Sequence, residues 1–373
     1  MSLSQYRGLT WDHPRGYRAL EAAAQDIAPG QGLFIAWDRH SLEGFETAPI
    51  AELAERYDLI VLDHPHVGEA VAQDCLLPME SLFDAEILQE LEVAAIGRSL
   101  ASYHYGGAHW ALPLDAATQV MAYARDRIDT PPQNWDAVID LAARQPVALS
   151  LAGPHAILSF QSIVAALGGG RPAEGFVDRQ IGREAFAIMA ALTGQASRAF
   201  VHANPIALLE AMAAGQDVAL VPLIYGYVNY AAAGRVGFAD APRGAVGIGS
   251  ILGGTGIAVS KRCTVTPALK AHLLWLMGAE AQCGFIPAHD GQPSLRAAWS
   301  DPQVDANWGG FYSGTRATLD TASLRPRHDG AIRFQTDASA RLRAGLIDGD
   351  PVDAVLDAIE AAFHRHHRKG AEL

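Results

Sequence analysis

The sequence lacks several features that would identify a class of protein directly. Its 373 residues include only three cysteines, and Cys75, Cys263 and Cys283 form no CxxC pair. This pattern favours free or buried thiols over a disulfide framework, although one disulfide remains possible. No run of about 20 apolar residues, the length that spans a bilayer as a helix, occurs. No charged and then apolar leader precedes the first predicted strand, so we expect either a cytoplasmic protein or the mature form of an exported one.

Basic residues are also scarce relative to acidic ones. The chain has 28 Lys and Arg against 41 Asp and Glu, a formal net charge of −13. A broad nucleic-acid surface requires a basic face, so this balance argues against nucleic acid as a partner. Hydrophobic residues make up 50% and charged residues 18% of the chain, an ordinary globular composition. The length predicts two domains rather than one.

Strands and helices alternate along the first part of the chain. Short apolar runs at residues 6–11, 33–37 and 58–62 predict strands, and the Ala- and Leu-rich segments 17–27 and 49–57 predict helices between them. Such a repeat is typical of an α/β protein with an open parallel sheet and right-handed crossovers.

Polar and charged residues follow each of these three strands. In open α/β sheets ligands bind beyond the carboxyl ends of the strands, so these side chains are candidates for one binding site. Capping of the next helix is the alternative for any single residue among them. The residues are Asp12, His13, Arg15, Arg39, Ser41, Asp63 and His64.

The segment 106–123 differs from the strands before it. It opens with two glycines, and its apolar run contains Pro113 and Asp115. A proline and a carboxylate argue against one uninterrupted central strand. We therefore interpret the segment as a hinge crossing between two lobes, with Trp110 and Asp115 at the cleft.

The second half repeats the pattern of strands and helices. Strands are predicted at 146–151 and 218–224, and a strand, a glycine turn and a second strand over 245–260, where glycines would let a ligand approach the backbone. Tyr225 and Tyr227 could stack on a ligand or simply pack in the core. Helices are predicted at 131–144, 157–167, 183–192, 206–214, 267–278 and 351–364, and a loop at 284–296.

The order of several passages resembles that of a known family. These passages are DLIVLDHPHVGEA, LLPMESLF, SYHYGGAHWALPLDAATQVMAY, AAGQDVALVP, LGGTGIAVSKRCTVTPALKAHLLWLM and AGLIDGDPVDAVLDAIEAAFHR. In this order they resemble the extracellular solute-binding proteins of ABC transporters, of the maltose-binding-like group 1 with the type 2 periplasmic fold. The chain departs from the family in lacking a leader and a lipobox cysteine, and in having Ala-His before Trp110, where a lysine or similar residue is usual.

The resemblance implies an α/β fold with two lobes, each with an open, mostly parallel sheet flanked by helices, and a ligand cleft between them. Both lobes would be discontinuous, with residues 1–115 plus 246–300 in the first and 116–245 plus 301–373 in the second. Hinge closure would capture a small ligand for delivery to a membrane permease. A monomeric, periplasmic protein without cofactor or metal is expected, with a cytoplasmic location as the alternative.

The residues of the predicted cleft suit a polar ligand. Trp11, Trp37, Tyr225 and Tyr227 could stack on apolar ring faces, Asp12, Asp63 and Asp115 could accept hydroxyl protons, and Arg15 and Arg39 could donate to hydroxyls or pair with a carboxylate. We favour a sugar or sugar-like molecule and keep an organic acid as the alternative. The predicted binding set is completed by His13, Ser41, His64, Trp110, Gly254 and Gln292.

Two other classes of function remain open from the residues alone. An enzyme on this fold could use Asp63, His64 or Asp115 as acid or base and Cys75 as nucleophile. A metal-binding protein could use oxygen and nitrogen ligands that no single element supplies. The candidates for such ligands are His13, His64, Asp115, Tyr225 and Tyr227.

Overall fold

The structure is a computed structural model that describes residues 3–170, 175–232 and 234–367. Its strands are β1 (Ser4–Trp11), β2 (Leu33–His40), β3 (Leu59–Leu62), β4 (His104–Tyr105), β5 (Ala108–His109), β6 (Leu112–Ala124), β7 (Leu220–Tyr225), β8 (Val236–Ala239) and β9 (Leu252–Val259). The helices of the first half are α1 (Pro14–Asp26), α2 (Leu42–Thr47), α3 (Ile50–Ala54), α4 (Val67–Ala72), α5 (Ala85–Ala94), α6 (Trp135–Ala142), α7 (His155–Ala166) and α8 (Arg179–Leu192). Those of the second half are α9 (Gln195–Ala199), α10 (Pro205–Ala213), α11 (Pro267–Met277), α12 (Ile286–Ala288), α13 (Arg296–Trp299), α14 (Pro302–Asn307), α15 (Phe311–Thr321), α16 (Ala331–Asp348) and α17 (Val352–His366).

One mixed sheet forms the centre of the molecule. Its strand order is β2-β1-β3-β9-β6-β7, and β8 also pairs with β6. β1 pairs in parallel with β2 and β3, whereas the pairs β3–β9, β6–β9, β6–β7 and β6–β8 are antiparallel. The α/β fold class is therefore confirmed. The mostly parallel character predicted for both lobes holds only for β2-β1-β3, because β9 and the strands around β6 pair in the opposite direction.

β6 corrects the interpretation of residues 106–123 as a broken strand. The two glycines form the turn between β4 and β5 as predicted, but β6 then runs without a break from Leu112 to Ala124. The pairing register with β9 shifts between Pro113 and Asp115. This irregularity places proline where the ladder is already interrupted, so its missing N–H costs little.

The same strand joins two parts of the sheet. Leu112 to Thr118 pair with β9, and Gln119 to Ala124 pair with β7 and β8. Just after the register shift, Ala116 pairs with Gly254, whose φ of +96° is unfavourable for other residues. A Cβ atom added there would lie 2.5 Å from the Asp115 carbonyl oxygen, so this crossing requires glycine.

The buried side chains separate into distinct clusters. One combines strands β1 to β3 with β6, β7, β9, α11 and the residues around Trp299 and Phe311. A second is built from α6 to α8 together with the C-terminal helices α16 and α17, through residues such as Phe160, Phe334 and Phe363. A third surrounds Ile60 and Tyr103. The predicted amphipathic C-terminal helix is confirmed, and its apolar stripe packs in the second cluster.

Three predicted elements differ from the structure. Residues 146–151 form only an isolated bridge at Val147, because Ser197 takes the Leu149 N–H and ends the ladder. Residues 245–251 are not a strand, and β9 contains the glycines that were expected to form a turn. The loop expected at 284–296 begins with the end of a π-helical turn (Glu280–Phe285) followed by α12.

The three cysteines are free, and Cys263 is buried while Cys75 and Cys283 are half-buried. Burial raises the pKa of the Cys75 thiol to about 11, so the thiol is protonated at neutral pH and poorly nucleophilic. Within the described part of the chain, none of the helices has the length and apolar character required to cross a membrane.

Candidate functional site

A cavity opens where β1, β2 and β3 end. Its volume is about 710 Å³, the open mouth included. Parallel strands end at the same edge of a sheet, which brings the residues after them to one side of this cavity. The other sides are formed by the start of α7, the end of β7, the first turns of α16 and the glycine-rich part of β9. The residues that line it include Trp11, Arg15, Phe45, Glu46, Asp63, His66, His155, Tyr225, Tyr227, Gly254, Arg325 and Gln335.

Arg15 and Asp115 form a buried ion pair at the floor of the cavity. Arg15 Nε donates to Asp115 Oδ2 at 2.5 Å and Nη2 donates to Oδ1 at 2.7 Å, a bidentate geometry. The remaining Arg15 nitrogen, Nη1, donates to the Gly226 carbonyl oxygen at 3.0 Å. The two side chains are only 4% and 7% exposed. Each guanidinium nitrogen thus has an acceptor within the protein.

His13 positions Arg15 from the start of α1. Its Nδ1 accepts a hydrogen bond from the Arg15 backbone N–H at 3.2 Å, which makes His13 the N-cap of the helix. Burial, together with the charges of Arg15 and Arg18, lowers the pKa of His13 to about 3. The imidazole is therefore neutral at physiological pH, as an acceptor at this cap must be.

Asp63 and Arg325 form a second ion pair, on the wall of the cavity. Arg325 Nη2 donates to Asp63 Oδ1, which also accepts from the His64 N–H at 2.9 Å. Burial alone would raise the pKa of Asp63, but the Arg325 charge and these hydrogen bonds hold it below its usual range. Arg325 Nε is buried and has no hydrogen-bond partner within the described residues. This arginine therefore retains an unused donor.

Two histidines flank the wall pair. His64 Nε2 accepts from the Arg325 backbone N–H at 3.3 Å, and burial with the nearby Arg325 charge lowers its pKa to about 4. Burial likewise lowers the pKa of His66 to about 4. Both rings are neutral at pH 7, so the wall carries one positive and one negative group and no further charge from histidine.

Aromatic rings line the cavity, but they are packed rather than open. Trp11 is 3% exposed and lies in a stack with His13, at 5.1 Å between ring centroids. Tyr227 meets Trp11 edge-on at 5.9 Å, and the Arg15 guanidinium lies 4.9 Å from the Tyr227 ring centroid. Tyr225 donates to the Leu252 carbonyl oxygen at 3.4 Å. Trp11 and Tyr227 therefore pack against each other and against the polar groups His13 and Arg15.

The structure brings part of the predicted binding set together. Several of these residues line the cavity directly, namely Trp11, Arg15, Asp63, Tyr225, Tyr227 and Gly254. His13, His64 and Asp115 lie immediately behind the lining residues that they hold. Gln292 is buried, and its side-chain amide connects two segments of the backbone. It accepts a hydrogen bond from the Val228 N–H at 3.2 Å and donates one to the Ala116 carbonyl oxygen at 2.6 Å.

The other predicted residues do not line this cavity. Arg39 pairs on the surface with Glu21 at 2.7 Å and with Asp12 at 3.4 Å. Ser41 caps α2 by accepting from the Gly44 N–H at 3.1 Å. The Trp37 ring packs against Gly8. Trp110 Nε1 donates to the Tyr105 carbonyl at 2.8 Å. Ligand contact by any member of the predicted set stays a prediction.

Several lining residues were missed in the sequence. His66 and His155 each follow an apolar run of the sequence, at 58–62 and 146–151, and this position was an available signal. Arg325 gave a weaker signal, as one of two arginines around a proline in LRPRH. Glu46 and Gln335 lie on helices with no distinguishing pattern. No cluster of three or more His, Cys, Asp or Glu side chains suited to a metal ion is found where the structure describes the chain.

Comparisons with known proteins show similarity at the level of structure. No protein-family model matches the sequence, and no curated protein matches it. Maltose-bound T. maritima MalE3 is similar over 97% of this chain and 99% of that chain, with a TM-score of 0.82 and 14% identity. The ABC transporter solute-binding protein from Agrobacterium radiobacter K84 in complex with ribitol is similar over 96% of this chain and 98% of that chain, with a TM-score of 0.78 and 18% identity.

The solute-binding protein from Thermotoga lettingae TMO bound with α-D-tagatose is also similar, over 98% of both chains, with a TM-score of 0.75 and 16% identity. Similarity of this extent covers the complete two-lobed architecture rather than a shared motif. At sequence identities of 14% to 18%, this structural similarity establishes the fold. This chain therefore has the MalE-like type 2 periplasmic binding protein fold, as the order of its sequence passages predicted.

Proposed function

We propose that this chain is a solute-binding protein of an ABC transporter, which captures a small polar molecule in the cavity and delivers it to a membrane permease. The observation that carries the proposal is the Asp63–Arg325 pair, a buried ion pair whose two charged side chains line the cavity. The fold supports it, because the similar structures bound to maltose, ribitol and tagatose are binding proteins. We infer a binding role rather than catalysis.

The charges of the cavity favour a neutral, hydroxyl-rich ligand such as a sugar or polyol. Arg15 and Arg325 contribute two positive charges to the lining, and Glu46 and Asp63 contribute two negative ones. A neutral ligand leaves this balance intact, whereas an anion would have to compete with the carboxylates for arginine. Hydroxyl groups can both accept from Arg325 and donate to Asp63. An organic acid is the second candidate, because two arginines, Arg15 and Arg325, line the cavity.

The division into lobes is part of the same proposal. We propose residues 1–115 plus 246–300 for the first lobe and 116–245 plus 301–373 for the second. The second core cluster supports this for the C-terminal helices, since it joins α7 and α8 to α16 and α17. We further infer a monomer located in the periplasm, where a binding protein would meet its permease.

Thermal unfolding with candidate ligands tests the proposal. A binder present at 100 times its Kd stabilises the folded protein by about 2.7 kcal/mol, which raises the Tm by several degrees. Maltose, ribitol, tagatose and a panel of dicarboxylic and tricarboxylic acids should be screened. We expect a sugar or polyol to raise the Tm of the wild type and of Asp26→Asn, an exposed control on α1. The same ligand should not raise the Tm of Asp63→Asn.

Other outcomes would replace the proposal. A shift with organic acids alone would favour the second candidate. A shift with a divalent or ferric ion and with no organic molecule would contradict the transport of polar solutes. Chemical conversion of the bound molecule, followed by NMR and abolished in Asp63→Asn, would identify an enzyme instead.

A further inference from the structure

A short helix carries one side of the cavity. α2 begins immediately after Ser41, and its six residues include Phe45 and Glu46, which both line the cavity. Phe45 anchors the helix because its ring packs 5.8 Å from the Trp11 ring and 6.1 Å from the His40 ring. Glu46 is the next residue and extends away from this anchor. Its carboxylate is therefore held over the cavity by a buried neighbour.

The Glu46 carboxylate meets the start of a helix on the opposite side. Glu46 Oε1 lies 3.2 Å from His155 Nε2, and the two side chains are 17% and 4% exposed. His155 is the first residue of α7, a helix of twelve residues, and its ring lies edge-on to Tyr225 at 5.9 Å between centroids. A carboxylate is favoured at a helix N-terminus, where the backbone dipole is positive. The two side chains thus meet as a close polar contact at the positive end of the α7 dipole.

Glu46 and His155 belong to parts of the molecule with different cores. Phe45, next to Glu46, packs in the cluster of β1 to β3, whereas α7 packs with α8, α16 and α17. Both side chains line the same cavity. A Cβ atom added at Gly153 would lie 3.3 Å from Glu46 Oε2, which shows that the carboxylate also faces the turn before α7. The pair therefore spans the cavity and joins its two sides.

We propose that Glu46 and His155 form a latch that holds the two sides of the cleft together and determines how long a ligand is retained. Opening the cleft separates the two side chains, so the contact exists only in the closed state and adds to the barrier for release. Association begins from the open state, where the contact is absent, so its rate should change little. The predicted effect on ligand retention rests on the proposed binding function. The predicted effect on closure of the cleft does not depend on that function.

The test compares Glu46→Ala and Glu46→Gln with Glu43→Ala, an exposed glutamate on the same helix outside the cavity. Release of whichever of maltose, ribitol and tagatose stabilises the wild type most is followed by stopped-flow fluorescence. We expect about 5- to 30-fold faster release in Glu46→Ala, since a largely buried polar contact between the two sides of the cleft is lost. Glu46→Gln should show a smaller increase, and Glu43→Ala none. A double-mutant cycle with His155→Ala should show that the two losses are not additive.

The second measurement needs no ligand. Small-angle X-ray scattering of the ligand-free proteins should give a larger radius of gyration for Glu46→Ala than for the wild type and Glu43→Ala. Equal radii, or equal release rates for Glu46→Ala and Glu43→Ala, would overturn the latch. If none of the sugars binds the wild type, the proposed sugar-binding function fails, and the scattering comparison still decides whether Glu46 and His155 hold the cleft closed.

Discussion

Two arginine–aspartate pairs in the same cleft differ in how completely their hydrogen bonds are satisfied. At the floor, Arg15 uses Nε and both Nη atoms for Asp115 and the Gly226 carbonyl. On the wall, Arg325 gives Nη2 to Asp63 and leaves Nε buried without a partner in the described chain. A saturated pair has little to offer a ligand, whereas an unsaturated one gains from it. We therefore propose that the floor pair serves stability and the wall pair serves recognition.

The position of each pair in the chain explains this difference. Arg15 lies in the first turn of α1, and Asp115 lies on the central strand β6, where its Oδ1 also accepts the Thr255 N–H at 3.1 Å. Both ends of the floor pair are thus on regular elements. Asp63 follows β3 directly, but Arg325 belongs to the irregular stretch between α15 and α16. Such a stretch is suited to presenting a group to a cavity.

Removal of the floor carboxylate should have the largest effect. In Asp115→Ala the Arg15 guanidinium stays buried without its counterion, which costs about 3–5 kcal/mol of unfolding free energy. Urea denaturation of the wild type and the variant measures this loss. Asp115→Asn, which keeps one acceptor, should lose less. A change below about 1 kcal/mol in Asp115→Ala would contradict a structural role for the floor pair.

Substitution of the wall arginine should instead act on binding. Arg325→Lys keeps a positive charge beside Asp63 but removes the planar fork and the Nε donor. We expect about a 30-fold or larger increase in the ligand Kd, measured by calorimetry, with a smaller loss of stability than in Asp115→Ala. Arg7→Lys is the matched control, since Arg7 forms an exposed pair with Asp38 at 2.8 Å. If Arg325→Lys bound ligand as the wild type does, the two pairs would not differ in function.

Acid should destabilise the wall through its buried histidines. The pKa of His66 is about 4 in the folded protein and near 6.5 in the unfolded chain. Between these values the unfolded chain binds more protons, so the stability present at neutral pH is lost as the pH falls from about 6.5 towards 4. One such histidine accounts for about 2 kcal/mol between pH 7 and pH 5.

Denaturation of the wild type and His66→Gln at pH 7, 6 and 5 measures this contribution. The unfolding free energy of the variant should fall less steeply with decreasing pH than that of the wild type. The difference in slope should correspond to at most one fewer proton taken up on unfolding. His64 is expected to behave in the same way, because its pKa is also about 4. Parallel curves for the wild type and His66→Gln would show that His66 is accessible to protons in the folded protein.

Much of the fold and one side of the cleft could be predicted from local patterns. Apolar runs placed β1 and β3 correctly, and the rule that ligands bind at strand ends pointed to Arg15 and Asp63. The opposite side could not be found in this way. Arg325 meets Asp63 across 262 positions of the chain, and Glu46 meets His155 from a separate core, so both contacts depend on how complete lobes pack.

β6 shows a second reason why prediction from sequence failed. Pro113 and Asp115 are poor residues for a central strand when each is considered alone. In the structure the proline coincides with a register shift, and the carboxylate is neutralised by Arg15. Both compensations come from distant segments, β9 and α1, and neither leaves a local signal. Long-range partners overrode local preference here.

The smallest effect is expected for Trp110→Phe. Trp110 was predicted to lie in the cleft, but its indole N–H donates to the Tyr105 carbonyl at 2.8 Å and its ring packs in the third core cluster. Loss of this hydrogen bond should cost about 1 kcal/mol of stability and change the ligand Kd by less than about twofold. Trp11→Phe, which alters a lining residue, is the matched comparison. Equal weakening of binding in both variants would place Trp110 within the recognition surface and extend that surface beyond the wall pair.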